Sequence, residues 1–365
     1  MKKFAVAIVF IALTLGAYYF YNQLTQVKAK LALIENRLGQ GSLECDEQET
    51  IERVSKSLVR VVGGEGEGTG VIVKSNGTIA TNFHVIQFEP SPKVIFPDYS
   101  FEPAEIILAD RNADLAYLRI NRTDLEHLNF DTISQQNLVP LQPVLAFGYP
   151  FGVELAGGVT VQKGNFVSVR HSEGQELLQT DISLNPGQSG GALTDLCGNL
   201  VGINSAGVAG LGMAITSTYA LDTWFQLLNA EDPLVDVEKI DFLPNESALE
   251  AVKAFYNYQK VRKLEEAYQL LSDNFLQGGS YESWRIGYEP LMDTYLLEIK
   301  EVEDEEDVIS LKLVTQELVG ENIVTKYFEG VWECRQEDGV WRLYDPEIVE
   351  VTEPGWEWFY GDEET

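Results

Sequence analysis

Between residues 59 and 216 the apolar pattern is short and β-like. Runs at 59–62, 69–74, 78–81, 93–96, 105–108, 115–120, 144–148, 159–169, 177–180, 195–204 and 212–216 are separated by Gly, Pro and Asn. Strands at this spacing with turn residues between them build an all-β sandwich or a pair of barrels. Ser75-Asn76-Gly77 predicts a tight hairpin, because Asn-Gly tolerates the left-handed backbone such a turn requires. A helix over 216–230, with Leu221, Trp224, Phe225 and Leu228 on one face, is expected to close this body.

Three motifs lie on the β scaffold. Thr81-Asn82-Phe83-His84-Val85-Ile86 follows a strand, Asp114-Leu115-Ala116-Tyr117-Leu118 begins one, and Asn185-Pro186-Gly187-Gln188-Ser189-Gly190-Gly191 is a glycine-rich turn before another. Each alone is ordinary: a packed histidine, a turn aspartate, a loop. Together they supply a complete chemistry. A serine hydroxyl is a poor nucleophile without an adjacent base. Histidine can take that proton and return it to a leaving amine. A carboxylate holds the imidazole in one tautomer and stabilises the imidazolium. Glycines around the serine let backbone N–H groups face a developing oxyanion, here those of Gly187 and Ser189.

Over about 59–225 the sequence resembles the Deg/HtrA branch of the trypsin-like serine peptidases. The stretches that carry the resemblance are 68–73 (GTGVIV), TNFHVI, DLAYLRI, 147–152 (FGYPFG), QTDISLNPGQSGGAL, 201–204 (VGIN) and 212–215 (GMAI). It implies two six-stranded β-barrels with the active site in the cleft between them. His84 is then the base, Asp114 the orienting acid, Ser189 the nucleophile and Gly187 an oxyanion donor. The specificity pocket maps to Leu184 and Ala206. With no Asp at its base, it suits a small or medium aliphatic side chain. Phe83 and Gln188 depart from the commoner family residues, and no PDZ domain is expected to follow.

Lys2 and Lys3 precede an uncharged run over 4–21. Eighteen helical residues span about 27 Å, enough for a bilayer core. The flanking lysines put the N-terminus in the cytoplasm, so residues 1–22 are expected to be a signal anchor with all else extracytoplasmic. A cleaved signal peptide is the competing reading, and it also implies export. Leu24, Val27, Leu31, Ile34 and Leu38 then follow an a/d seam in a stalk over 23–42, a short coiled coil or a solvated helix. After the peptidase region at 50–228 and a linker at 229–245, residues 246–365 change to helices followed by antiparallel strands. Strands are expected at 295–299, 308–314, 323–330, 331–334 and 340–344, an α+β plan.

Residues 251–256, 266–272, 328–332 and 339–341 resemble the cone-shaped fold of nuclear transport factor two and SnoaL-like proteins. That resemblance implies a binding or oligomerisation module. His171 is the last histidine, so no paired catalytic His and Asp is available there. The acidic stretch 347–365 is expected to be a solvated end. A homo-oligomer, such as a trimer, is compatible with the family and the seam.

Net charge is −31, and 34 of the 57 acidic residues but only 11 of the 26 basic ones lie after residue 230. Such a surface repels phosphate backbones, so no nucleic acid is expected as a partner. Three cysteines and three histidines form no metal-ligand spacing, and neither metal nor cofactor is expected. Cys45 with Cys197 is the disulfide to test, against three unpaired thiols. The sequence therefore points to a membrane-anchored serine endopeptidase acting on unfolded extracytoplasmic proteins. Its rivals are a silent binding scaffold or holdase and, more remotely, an esterase.

Overall fold

The computed structural model describes residue 28 and residues 45–63, 67–128, 138–150, 158–172, 175–205, 215–217, 240–303 and 305–360. The expected anchor, the stalk apart from Lys28, residues 218–230 of the expected closing helix, most of the linker and Ala206 lie outside them. Among the described residues no helix is long and apolar enough to cross a membrane.

A helix, α1 (Glu47–Ser55), leads into the first sheet. Its strands are β1 (Leu58–Val62), β2 (Glu67–Lys74), β3 (Thr78–Thr81), β4 (Lys93–Ile95), β5 (Phe101–Pro103), β6 (Glu105–Asp110) and β7 (Leu115–Arg119). A one-turn helix, α2 (Phe83–Ile86), follows β3. The strand order is β5-β4-β1-β2-β3-β7-β6. The Asn-Gly turn forms between β2 and β3, with Gly77 at φ 83° and Thr78 Oγ1 donating to Asn76 Oδ1 at 2.8 Å.

Seven strands stand where six were expected. The two outermost, β5 and β6, are consecutive in the chain and meet at buried Ala104. One strand therefore bends from one end of the sheet to the other and joins its margins covalently, without a ladder between them.

The second set does close as a six-stranded barrel in the order β10-β13-β12-β11-β8-β9. It comprises β8 (Pro143–Gly148), β9 (Thr160–Ser172), β10 (Gln175–Thr180), β11 (Ala192–Asp195), β12 (Leu200–Ser205) and β13 (Ile215–Ser217). The apolar run at 195–204 divides into β11 and β12. Asp195 Oδ1 accepts from the N–H groups of Cys197 and Asn199, and Gly198 at φ 74° turns the chain. Residues 216 and 217, the expected start of the closing helix, belong instead to β13. A single buried cluster takes Leu58, Val71 and Tyr117 from the first sheet and Leu145, Phe147 and Ile203 from the barrel. Cys45 and Cys197 are disulfide-bonded, and Cys334 is a free, buried thiol.

The C-terminal part begins with α3 (Ala248–Lys260), where Ser247 Oγ accepts from Glu250 N–H at 3.1 Å. Three short helices follow: α4 (Leu264–Gln269), α5 (Asp273–Leu276) and α6 (Tyr281–Ile286). A four-stranded antiparallel meander completes it: β14 (Leu291–Val302), β15 (Glu305–Val319), β16 (Asn322–Glu337) and β17 (Val340–Glu350). Ala251, Val252 and Phe255 of α3 pack with Leu311, Trp332 and Leu343 of the sheet. The two strands expected at 323–330 and 331–334 are one. Pairing runs on through Gly330, at φ 154°, where a Cβ would collide with Glu347 O, so glycine is required. Nor is the acidic end all solvated. Residues 347–350 continue β17, and the helix α7 (Trp356–Tyr360) rests on the sheet through Trp358 Nε1, which donates to Glu329 Oε2 at 2.7 Å. Trp332 is core, with its indole N–H bonded to Tyr256 Oη, whereas Trp356 is exposed.

Where the C-terminal part meets the first sheet, Met292 and Leu318 pack on Val62 and Ile95. Beside them lie four buried charges. Asp293 accepts from Lys93 Nζ and from Lys260 Nζ, each at 3.0 Å, and Lys260 also reaches Glu89 Oε2 at 2.9 Å. Lys93 is fully buried, and burial holds its ammonium below the ordinary value while the Asp293 carboxylate opposes that shift.

Candidate active site

His84 is exposed on α2, immediately after β3, and Asp114 immediately precedes β7. Because β3 pairs with β7 through Thr81 and Ala116, the sheet register itself brings the two side chains together. Asp114 adopts a left-handed backbone, φ 49°, at the end of a turn in which Asp110 Oδ1 accepts from the N–H groups of Asn112 and Ala113. Asn82 Nδ2 donates to Asp114 O at 2.8 Å and fixes that corner.

Both Asp114 carboxylate oxygens lie 2.9 Å from His84 Nδ1, and Oδ1 also accepts the His84 backbone N–H at 3.1 Å. Ser205 Oγ, from the end of β12, donates to Oδ2 at 2.9 Å. Facing an ionised carboxylate, Nδ1 carries the proton, which leaves the Nε2 lone pair as a base. The geometry is one in which a carboxylate can hold an imidazole in a single orientation.

Ser189 lies in the turn between β10 and β11, only 4% exposed. Residues 185–188 form a type II turn: Gln188 N–H donates to Asn185 O at 3.1 Å, Pro186 is second, and Gly187 third at φ 88°. Gln188 is fully buried, and its Oε1 accepts the Asn185 N–H at 2.8 Å, closing the turn a second time. The N–H groups of Gly190 and Gly191 are bonded to Asn204 O and Gln188 O. Those of Gly187 and Ser189 meet no acceptor among the described residues, the condition expected of donors awaiting an oxyanion.

The turn is anchored to the first sheet. Thr69 N–H donates to Ser189 O at 2.7 Å, and Thr69 Oγ1 donates to Gly187 O at 2.8 Å. At Gly68 a Cβ would meet both Ser189 O at 2.9 Å and a Val85 methyl at 2.6 Å, so the turn bearing Ser189 and the helix bearing His84 converge on β2. No hydrogen bond joins Ser189 Oγ to His84 here; such bonds are often long in substrate-free enzymes. Leu184 is half-buried against Ile182 and the barrel interior, and Ala206 lies outside the described residues.

Sequence reasoning had named His84, Asp114, Ser189 and Gly187. It missed Ser205, Thr69 and Asn82, which bear no catalytic chemistry of their own. Asn82, two residues before His84, and Thr69, within the 68–73 stretch, lay inside motifs already singled out, and Ser205 fell one residue beyond the 201–204 stretch.

Residues 68–203 match the family model of the trypsin-like peptidase domain. Among curated proteins, the chain is 34% identical over 195 residues to a probable periplasmic serine endoprotease DegP-like of Pseudomonas fulva, covering 49% of this chain and 40% of that protein. It is 36% identical over 171 residues to the protein of the same description from Hahella chejuensis, covering 45% and 36%. It is 35% identical over 190 residues to the magnetosome formation protease MamE of Magnetospirillum gryphiswaldense, covering 46% and 24%. The chain thus spans less than half the length of these relatives. The described β-structure and these matches agree on a trypsin-like, serine-peptidase-like domain at 68–203, the segment that holds His84, Asp114 and Ser189.

Proposed function

We propose that this chain is an extracytoplasmic serine endopeptidase in which Ser189 is the nucleophile, His84 the general base and Asp114 its orienting acid. The observation that carries the reading is the His84 Nδ1–Asp114 pair, with Ser205 on the second carboxylate oxygen, beside a turn whose Gly187 and Ser189 N–H groups have no acceptor among the described residues. Nε2 takes the Ser189 hydroxyl proton as Oγ attacks the scissile carbonyl. The oxyanion forms against the two free N–H groups, each worth about 2.7–4 kcal/mol in comparable sites. The imidazolium, held by Asp114, returns the proton to the leaving amine, and water then resolves the acyl-enzyme by the same route.

The family resemblance assigns the specificity pocket to Leu184 and Ala206, and a pocket without an acidic base suits a small or medium aliphatic side chain. The uncharged run at 4–21 anchors the chain in the membrane, and the location in the relatives' names supports placing both domains outside the cytoplasm. The C-terminal part, with its α+β plan, acts as a binding or oligomerisation module of the nuclear transport factor two type.

The unmade bond between Ser189 and His84 is the one observation on the side of a silent scaffold. A serine-directed fluorophosphonate and unfolded casein separate the two readings. Full-length wild type is expected to be labelled and to cleave, and Ser189→Ala to do neither while remaining folded. A folded wild type that does neither favours the scaffold, and cleavage by Ser189→Ala at the wild-type rate removes Ser189 as nucleophile.

A further inference from the structure

The two parts of the candidate site stand on different sheets: His84 and Asp114 on the first, Ser189 on the turn into the barrel strand β11. One residue ties them together with every polar group it has. Thr69, in the middle of β2, is fully buried. Its N–H holds Ser189 O at 2.7 Å, and its carbonyl accepts Thr81 Oγ1 at 2.7 Å, three residues before His84. Its hydroxyl accepts the Tyr149 N–H at 2.9 Å and donates to Gly187 O at 2.8 Å.

The direction of the last two bonds is not open to choice. A backbone N–H can only donate, so the Thr69 hydroxyl lends Tyr149 a lone pair and sends its one proton to Gly187 O. The carbonyls of Gly187 and Ser189 are therefore both held by Thr69, and these are the two residues whose own N–H groups are proposed as the oxyanion donors. Gly187 has no side chain to hold its conformation and could adopt φ < 0 as readily as its observed 88°. The backbone packs closely around Thr69. A Cβ at Gly148 would come within 3.1 Å of Thr69 Oγ1, and one at Gly190 would collide with Thr69 O.

We infer that Thr69 is a positioning residue for the reaction, setting the nucleophile turn and its oxyanion donors in register with His84 through its side-chain hydroxyl. Thr69 touches no reacting atom; it acts through Gly187 and Ser189. Thr69→Val keeps the volume and the β-branched shape but leaves Gly187 O and Tyr149 N–H without their partner. Thr69→Ser keeps the hydroxyl and loses one methyl. The inference rests on the peptidase reading for its kinetic arm only.

The test uses the full-length chain and its two variants, with two readouts. The first is fluorophosphonate labelling and peptide cleavage. Thr69→Val is expected to lower kcat and the labelling rate by about tenfold to a hundredfold with KM little changed, the cost typical of a displaced reacting group. Thr69→Ser is expected to restore the rate to within about threefold of wild type. The second is amide exchange of residues 187–191, expected to rise at least about tenfold in Thr69→Val, with global stability measured alongside. Wild-type kcat in folded Thr69→Val, or equal losses in the Val and Ser variants, overturns the inference. If the wild type itself is neither labelled nor active, the peptidase reading falls and exchange alone decides. Faster exchange confined to 187–191 in Thr69→Val sustains the positioning role, and unchanged exchange ends it.

Discussion

Replacing Asp293 with Asn should be among the most damaging single changes outside the site. The carboxylate is 1% exposed and accepts four hydrogen bonds: from Lys93 Nζ and Lys260 Nζ at 3.0 Å, from Tyr295 Oη at 3.1 Å and from the Thr294 N–H at 2.7 Å. Asparagine keeps the shape and removes the charge, leaving two lysines with Glu89 alone. Breaking a buried pair by removing one partner costs about 3–5 kcal/mol. An exposed pair such as Arg285–Glu282, with side chains 36% and 72% accessible, is worth at most about 1 kcal/mol.

The loss should also depend on pH with a definite sign. Lys93 in the folded chain lies below its ordinary 10.5, chiefly through burial. Between its folded and unfolded values the unfolded chain holds the extra proton, so stability from this group rises with pH. Without Asp293 the folded value falls further, and the rise begins at lower pH. The deficit of Asp293→Asn should therefore be largest near neutral pH and should narrow towards pH 10. Urea unfolding followed by tryptophan fluorescence, at several pH values, measures both. A deficit below about 1 kcal/mol at pH 7, or one that widens as pH rises, would refute the reasoning.

Two further outcomes follow from the same geometry. Ser205→Ala removes one donor to Asp114 but leaves two others from His84, so kcat should fall only about threefold to tenfold, with KM unchanged; steady-state cleavage kinetics read this directly. Burial, with Asp307 and Glu333 adding to it, pushes the Cys334 thiol up to about 12, so at pH 8 it should resist iodoacetamide until the chain unfolds, as mass spectrometry of the alkylated protein would report.

The candidate site residues could be named from the sequence because the proposed chemistry restricts residue type and local motif: His84 after a strand, Asp114 before one, Ser189 among glycines. Strand positions were legible for a similar reason, since alternation and turn residues are local signals. What escaped was set by the meeting of distant segments. Nothing in the composition of 331–334 distinguishes a new strand from the continuation of β16 through Gly330. Ala104 gives no local sign that the strand around it turns a corner and joins the margins of a sheet. Thr69 and Ser205 are hydroxyl residues in strands, and only tertiary proximity makes one a clasp on the turn bearing Ser189 and the other a hydrogen-bond donor to Asp114.

The four buried charges have one more property. Lys93 and Glu89 come from one side of the contact, Lys260 and Asp293 from the other, so each side is electrically neutral by itself. Neither face draws the other in from a distance, and added salt has no long-range attraction to weaken. The alternation of sign is felt only at contact. A placement of the C-terminal part that set ammonium against ammonium in this buried site would cost several kcal/mol. The cluster thus bears on alignment more than on attraction: it adds little to the pull between the two parts and disfavours placements that set like charges together.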